Sequence, residues 1–198
     1  MGDARTPAYR QFPDDWNGGC ITCGASVTGR IPRVLSIAGT DPSGGAGLQA
    51  DLKTFSAHGA YGMGVVTALV SQNTMGVRDV HVPPTDFLRS QLDAVSDDVT
   101  IDAIKIGMLF DAPIIAEVAD WLDTLPKRSS QSDDESPGGS AHGTTSPEGT
   151  PAPIVVLDPV MVATSGDRLL KADAEKALHD LLRHVDLVTP NIPELAVL

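Results

Sequence analysis

Along most of the chain, short apolar runs alternate with segments of helical period. Residues 34–38 form a mainly aliphatic run, and Leu48, Leu52 and Phe55 then recur at helical spacing until Gly59 ends the stretch. Residues 65–70 predict a second strand, closing on Ser71-Gln72-Asn73. In residues 77–82, Val77, Asp79 and His81 alternate with Arg78, Val80 and Val82, the pattern of a short edge strand. Pro83-Pro84-Thr85-Asp86 is a helix start for the stripe Phe87, Leu88, Leu92 and Val95. Residues 103–106 predict a strand closing on Gly107-Met108, and Asp111-Ala112-Pro113 opens a helix carrying Ile114, Val118, Trp121 and Leu125. Residues 154–157 predict a strand ending in Asp158-Pro159. Residues 172–184 predict a charged helix with an apolar face of Leu178, Leu181 and Leu182, and Leu187-Val188-Thr189 a last strand. This alternation is that of an α/β fold with a mostly parallel sheet, and it puts polar residues at strand carboxyl ends, where open sheets bind ligands.

Two stretches fall outside the pattern. Residues 1–30 have no apolar period and read as a disordered tail. Residues 126–153 contain no Val, Ile, Leu, Met, Phe, Trp, Tyr or Cys and are dominated by Ser, Gly, Pro and Thr, so they read as a flexible insertion within a domain spanning 31–198. With 14 Lys plus Arg against 26 Asp plus Glu, the formal charge is −12, which argues against nucleic acid or an anionic membrane as partner. No run approaches the ~18 unbroken apolar residues of a spanning helix, and the N-terminus lacks the apolar core of a secretory signal. Cys20 and Cys23 are too few for a disulfide scaffold and lack the second pair a zinc site needs, so a reducing, cytoplasmic location is expected.

The loop Gly39-Thr-Asp-Pro-Ser-Gly-Gly-Ala-Gly47 lets backbone N–H groups approach a ligand at a helix N-terminus, though it also fits a tight turn with no ligand. It is not a P-loop, because Gly45 and Ala46 stand where Lys and Ser or Thr belong. A dinucleotide reading of Gly45-Ala-Gly47-Leu-Gln-Ala50 lacks its acid in the uncharged stretch about 20 residues on. Asp41, before Pro42, fits a turn carboxylate, and Asp51 an acid near a helix start. Gln72 offers donors and an acceptor together, which suits an aminopyrimidine edge, and equally a loop residue bonded to backbone or water. Asp158 after one strand, and Asn191 with Glu194 after another, are oxygen donors of the kind that hold Mg²⁺ beside phosphates. Asn191 and Glu194 also fit a helix N-cap and its third residue. Met108 and Trp121 read as core or pocket wall, and His58 as a cap of helix carbonyls.

In order, Ser36-Ile-Ala-Gly-Thr-Asp-Pro-Ser-Gly-Gly-Ala-Gly-Leu-Gln-Ala-Asp-Leu-Lys-Thr-Phe55, Ala68-Leu-Val-Ser-Gln-Asn-Thr74, Lys105-Ile-Gly-Met108, Val156-Leu-Asp-Pro-Val-Met161 and Thr189-Pro-Asn-Ile-Pro-Glu194 closely resemble the hydroxymethylpyrimidine/phosphomethylpyrimidine kinases of thiamine biosynthesis. The resemblance implies a ribokinase-like three-layer α/β/α fold. It implies ATP- and Mg²⁺-dependent phosphorylation of 4-amino-5-hydroxymethyl-2-methylpyrimidine and then of its monophosphate. Gln72 would recognise the aminopyrimidine, with Gly39, Met108 and Val160 as walls around the ring. Asp158 and Asn191-x-x-Glu194 would hold Mg²⁺ and the ATP phosphates, Asp158 and Glu194 being the metal positions. The family continues past this motif through a lysine-bearing strand, an adenine pocket and a Gly-Thr-Gly-Cys-type anion-hole turn. The chain is therefore expected to lack the C-terminal part of the fold, with the catalytic residues beyond Leu198 and little activity alone. An unpaired sheet edge would favour association, a homodimer being the simplest product. The competing readings are a pyridoxine-type vitamin kinase, a non-catalytic pyrimidine-binding module and, last, a NAD-binding oxidoreductase.

Overall fold

The computed structural model describes residues 30–127, 152–161, 170 and 174–198. Residues 1–29, the bulk of the 126–153 insertion, and both cysteines lie outside the described residues. Five parallel strands form the central sheet in the order β2-β1-β5-β6-β7: β1 is Arg33–Ala38, β2 Tyr61–Val66, β5 Ala103–Ile106, β6 Ile154–Leu157 and β7 Leu187–Val188. A separate antiparallel hairpin joins β3, Leu69–Asn73, to β4, Gly76–His81.

Strand alternation divides the sheet's two faces. Leu35 and Ile37 of β1, Met63 and Val65 of β2, Ile104 and Ile106 of β5, and Val155 and Leu157 of β6 all enter one core. Above it pack α2, Thr85–Ser96, α3, Ala112–Leu122, and α4, Glu175–Leu181, through Leu88, Leu92, Ile114, Ile115, Val118, Trp121, Leu178 and Leu181. Each fully buried Leu or Ile contributes about 1.5–3 kcal/mol, so this face supplies most of the stability. The start of α3 follows its sequence: Asp111 is the N-cap, its Oδ1 accepting from Ile114 N at 3.3 Å, with proline in the first turn.

The opposite face carries α1, Gly47–Ala57. Glycine makes that close approach feasible, since a Cβ on Gly64 would lie 2.6 Å from Leu48 Cδ1. Ser36 and Lys105 occupy the alternate positions of β1 and β5 and meet α1, placing polar chemistry on this side.

The structure corrects several sequence expectations. Residues 65–70 are not one strand: β2 ends at Val66, and buried Thr67 turns the chain away by donating its hydroxyl to Met108 O at 2.6 Å. Gln72 consequently sits inside β3 rather than beyond a sheet strand. The predicted edge strand over residues 77–82 is β4, which among the described residues pairs with β3 alone. The predicted helix over 172–184 is α4 followed by a 3₁₀ turn, Leu182–His184. His58 does accept the capping role, Nδ1 lying 2.9 Å from Thr54 O. Among the described residues, no helix is long and apolar enough to cross a membrane.

Candidate functional site

At the carboxyl ends of β1, β5 and β6 the chain surrounds a cavity of about 270 Å³. Gly39 and Thr40 enter from the end of β1, Met108 from beyond β5, and Asp158 and Val160 from beyond β6. The hairpin adds Val70 and Gln72. Gly39, Gln72, Met108 and Val160, the four positions read from sequence as a ring pocket, thus line one space. The hairpin is tied over it by Thr40 N donating to Ala68 O at 2.9 Å and Val70 N donating to Thr40 Oγ1 at 2.9 Å.

The glycine-rich loop owes its shape to Asp41. This side chain, on a residue 3% exposed, accepts from Ser43 N at 2.9 Å, Ser43 Oγ at 2.7 Å, Gly45 N at 3.1 Å and Ala46 N at 2.8 Å. Burial would raise its pKa, but the side chains of Ser43 and Gln72 and the backbone N–H groups of Ser43 and Ala46 outweigh that and hold it at about 2. Asp41 is thus a turn carboxylate, and the loop it organises forms one cavity wall.

A charged cluster closes the floor. Lys105 Nζ stands 3.1 Å from Asp51 Oδ2 and 3.6 Å from Asp158 Oδ2, and Ser36 Oγ donates to Asp51 Oδ2 at 2.6 Å. Burial raises the Asp158 carboxyl above its ordinary value; Lys105 opposes this, while Glu194 and Asp51 push the same way as burial. The chain pattern alone assigns Lys105 no role and explains Asp51 as an acid near a helix start. A lysine at an alternate position of a mid-sheet strand does signal a need for an acid, but its partner lies 54 positions away.

Asn191 and Glu194 do not line the cavity. They form a capping box on the short helix α5, Ile192–Leu195: Asn191 Oδ1 accepts from Glu194 N, and Glu194 Oε2 from Asn191 N, both at 2.9 Å. The helix-start alternative for this pair is what the chain forms. Glu194 is buried and near enough to Asp158 to raise its carboxyl. Among the described residues, no three His, Cys, Asp or Glu side chains cluster closely enough to hold a metal by themselves.

A parallel sheet with helices on both faces and a cavity at its carboxyl ends is the ribokinase-like arrangement of small-molecule kinases. The family model for phosphomethylpyrimidine kinase matches residues 41–130 and 145–198, and the chain belongs to that family. It is 58% identical over 167 residues to the thiamine biosynthesis multifunctional protein of Corynebacterium glutamicum, covering 84% of this chain and 19% of that protein. It is 49% identical to the hydroxymethylpyrimidine/phosphomethylpyrimidine kinase of Salmonella typhimurium, covering 83% of this chain and 53% of that enzyme. The chain thus spans about half the length of the single-function relatives and about a fifth of the multifunctional one. The crystal structure of phosphomethylpyrimidine kinase from Clostridium difficile superposes with TM-score 0.64 at 40% identity, over 82% of this chain and 60% of that one. The pyridoxal kinase of Staphylococcus aureus with AMP-PCP and pyridoxal superposes with TM-score 0.61 at 33% identity, over 85% of this chain and 51% of that one.

Proposed function

We propose that the cavity binds 4-amino-5-hydroxymethyl-2-methylpyrimidine and its monophosphate, and that these 198 residues supply the acceptor side of an ATP- and Mg²⁺-dependent kinase. The observation that carries this reading is the convergence of Gln72, Gly39, Met108 and Val160 on one cavity that also holds the Lys105, Asp51 and Asp158 cluster. Met108 and Val160 offer apolar faces to a ring, Gln72 an amide to its edge.

Asp158, which lines the cavity, would be the first carboxylate to meet Mg²⁺, and Glu194, buried close enough to influence it, the second, for an ion that takes one or two carboxylates and keeps its waters. When bound, the ion with ATP supplies the transferable phosphoryl group and neutralises its charge. The chain's own residues orient the acceptor: the hairpin and the Asp41 loop fix the ring, and Lys105 links Asp51 to Asp158 and offsets their charge. The chain's match to about half of its relatives supports the further proposal that full turnover requires the rest of such a kinase. Leu187, Ile192 and Leu195, each more than half exposed on β7 and α5, support association through that end of the sheet.

The likeness to pyridoxal kinases favours pyridoxal as the second reading. Calorimetric titration with each compound separates the two. The expected result is tighter binding of the pyrimidine, weakened about tenfold or more in Gln72→Ala. Tighter binding of pyridoxal, or pyrimidine binding that ignores Gln72→Ala in a folded protein, overturns the assignment. ADP release with ATP and Mg²⁺, measured with and without a co-expressed C-terminal half from a relative, tests the need for the remaining residues.

A further inference from the structure

A glycine-rich turn at the start of a helix suggests a place for a phosphate, yet in this loop an anion is already built in. The Asp41 carboxylate takes the N–H groups of Ser43, Gly45 and Ala46, while Gly44 N donates to Asp41 O at 2.9 Å and Leu48 N to Gly39 O at 2.9 Å. A phosphate at this wall would meet a negative charge and donors already engaged. Lys53, the cation of α1, donates to Gly44 O at 2.7 Å and lies outside the cavity lining.

The floor differs. Among the described residues Lys105 is the one cation of the lining, and its side chain is mostly buried. An ammonium carries three N–H donors. Asp51 Oδ2, which also accepts from Ser36 Oγ at 2.6 Å, takes one of them at 3.1 Å, whereas Asp158 Oδ2, at 3.6 Å, stands beyond a direct hydrogen bond. The amine is thus anchored by Asp51 and keeps donors for a further oxygen. Gly107 leaves it room, since a Cβ there would stand 2.9 Å from Lys105 Nζ.

We propose that Lys105 is the residue by which the cavity admits a phosphorylated ring: its ammonium, anchored on Asp51, pairs with the phosphate oxygens of a pyrimidine monophosphate in place of Asp158. The inference rests on the reading of the cavity as a site for the pyrimidine and its monophosphate, and it names what admits the second of them. The charges of the floor call for such a group. Asp51 and Asp158 outnumber Lys105 there, so a phosphate monoester, close to doubly charged at neutral pH, is repelled unless the amine turns to it. A neutral alcohol makes no such demand.

The test is calorimetric titration of the unaltered chain, Lys105→Gln and Lys105→Arg with 4-amino-5-hydroxymethyl-2-methylpyrimidine and with its monophosphate, no divalent ion being present. Lys105→Gln is expected to weaken the monophosphate at least about tenfold more than the alcohol, the loss of one charged hydrogen bond. Lys105→Arg, which keeps the charge, is expected to restore most of that difference. Equal weakening of both compounds in a folded Lys105→Gln protein is what a purely structural ion pair gives, and it overturns the proposal. A monophosphate affinity that Lys105→Gln leaves unchanged does the same.

Lys105→Gln also leaves Asp51 without its cation, so a second measurement uses the unaltered protein. In a chain labelled with ¹³C at the lysine ε carbon, the Lys105 signal, assigned by its loss in Lys105→Arg, is expected to move when the monophosphate is added and to move less with the alcohol. A signal that responds equally to the two, or that stays still while the monophosphate binds, overturns the proposal. If the alcohol binds the unaltered chain and the monophosphate does not, the ring-binding reading stands and this inference alone fails. If neither binds, the ring-binding reading fails and the inference falls with it.

Discussion

Gly47→Ala is the most direct probe of the loop that frames the cavity. Gly47 has φ +55°, in the left-handed region, and an added Cβ would stand closer than 3.0 Å to the Gly39 carbonyl oxygen and 3.4 Å from the carbonyl carbons of Gly39 and Thr40. These are backbone atoms, so no side chain can swing away. The same carbonyl oxygen accepts from Leu48 N at 2.9 Å, the first tie between β1 and α1. Gly59, at the other end of α1, is a control inside the same molecule: its φ is +75°, but a Cβ there would meet nothing within 4 Å. Gly59→Ala should therefore cost only the left-handed backbone penalty, about 1 kcal/mol. Gly47→Ala adds displacement of the Gly39 carbonyl and a weakened hydrogen bond, for a total of about 2–4 kcal/mol. With a urea slope of about 2 kcal/mol/M, the unfolding midpoint falls by about 0.5 M for Gly59→Ala and about 1–2 M for Gly47→Ala. Midpoints that agree within about 0.2 M would refute the claim that backbone contact, and not φ alone, dictates glycine at position 47.

Two further expectations concern charge. Asp41 has a folded pKa of about 2 against an ordinary 3.8, so its contribution is complete above about pH 4 and is lost as pH falls through 2. It is worth at most about 2 kcal/mol, and the stability gap between wild type and Asp41→Asn in urea titrations should shrink between pH 5 and pH 2; a gap constant with pH contradicts the assignment. A double-mutant cycle of Lys105→Met with Asp51→Asn should give a coupling above about 1 kcal/mol, because both side chains are mostly buried. The exposed Lys176 and Asp180 pair should give none that can be resolved, and equal couplings would deny the cavity-floor cluster its energetic role.

Strands β1, β5 and β6 were legible because their inward positions are aliphatic, as in Ile104 and Ile106, and the start of α3 because Asp111 and Pro113 specify it chemically; β2, at Tyr61–Val66, was not. Nor was the boundary between β2 and β3. Apolar residues continue through it, and the residue that ends the sheet strand is Thr67, whose buried hydroxyl acts on a carbonyl 41 positions distant. The same limit hid the cavity floor. Asp51 has a bland local explanation at a helix start, and only the parallel pairing of β1 with β5 beneath α1 brings Lys105 to it. The ring-wall positions were available through resemblance to a family. Their convergence on one space depends on a hairpin that the apolar pattern had merged into the sheet.

That hairpin gives the two walls of the cavity different supports. The five-stranded sheet carries Gly39 and Asp158 on a ladder whose strength comes from the main core, whereas Gln72 rides on a two-stranded unit that meets the sheet through a small cluster of Ala68, Val70 and Met108. Substitutions in the hairpin can therefore change what the cavity accepts at little expense to folding, since few of its side chains enter the main core. The part of the cavity wall that carries Gln72 is thus held by pairing of its own rather than by the five-stranded ladder.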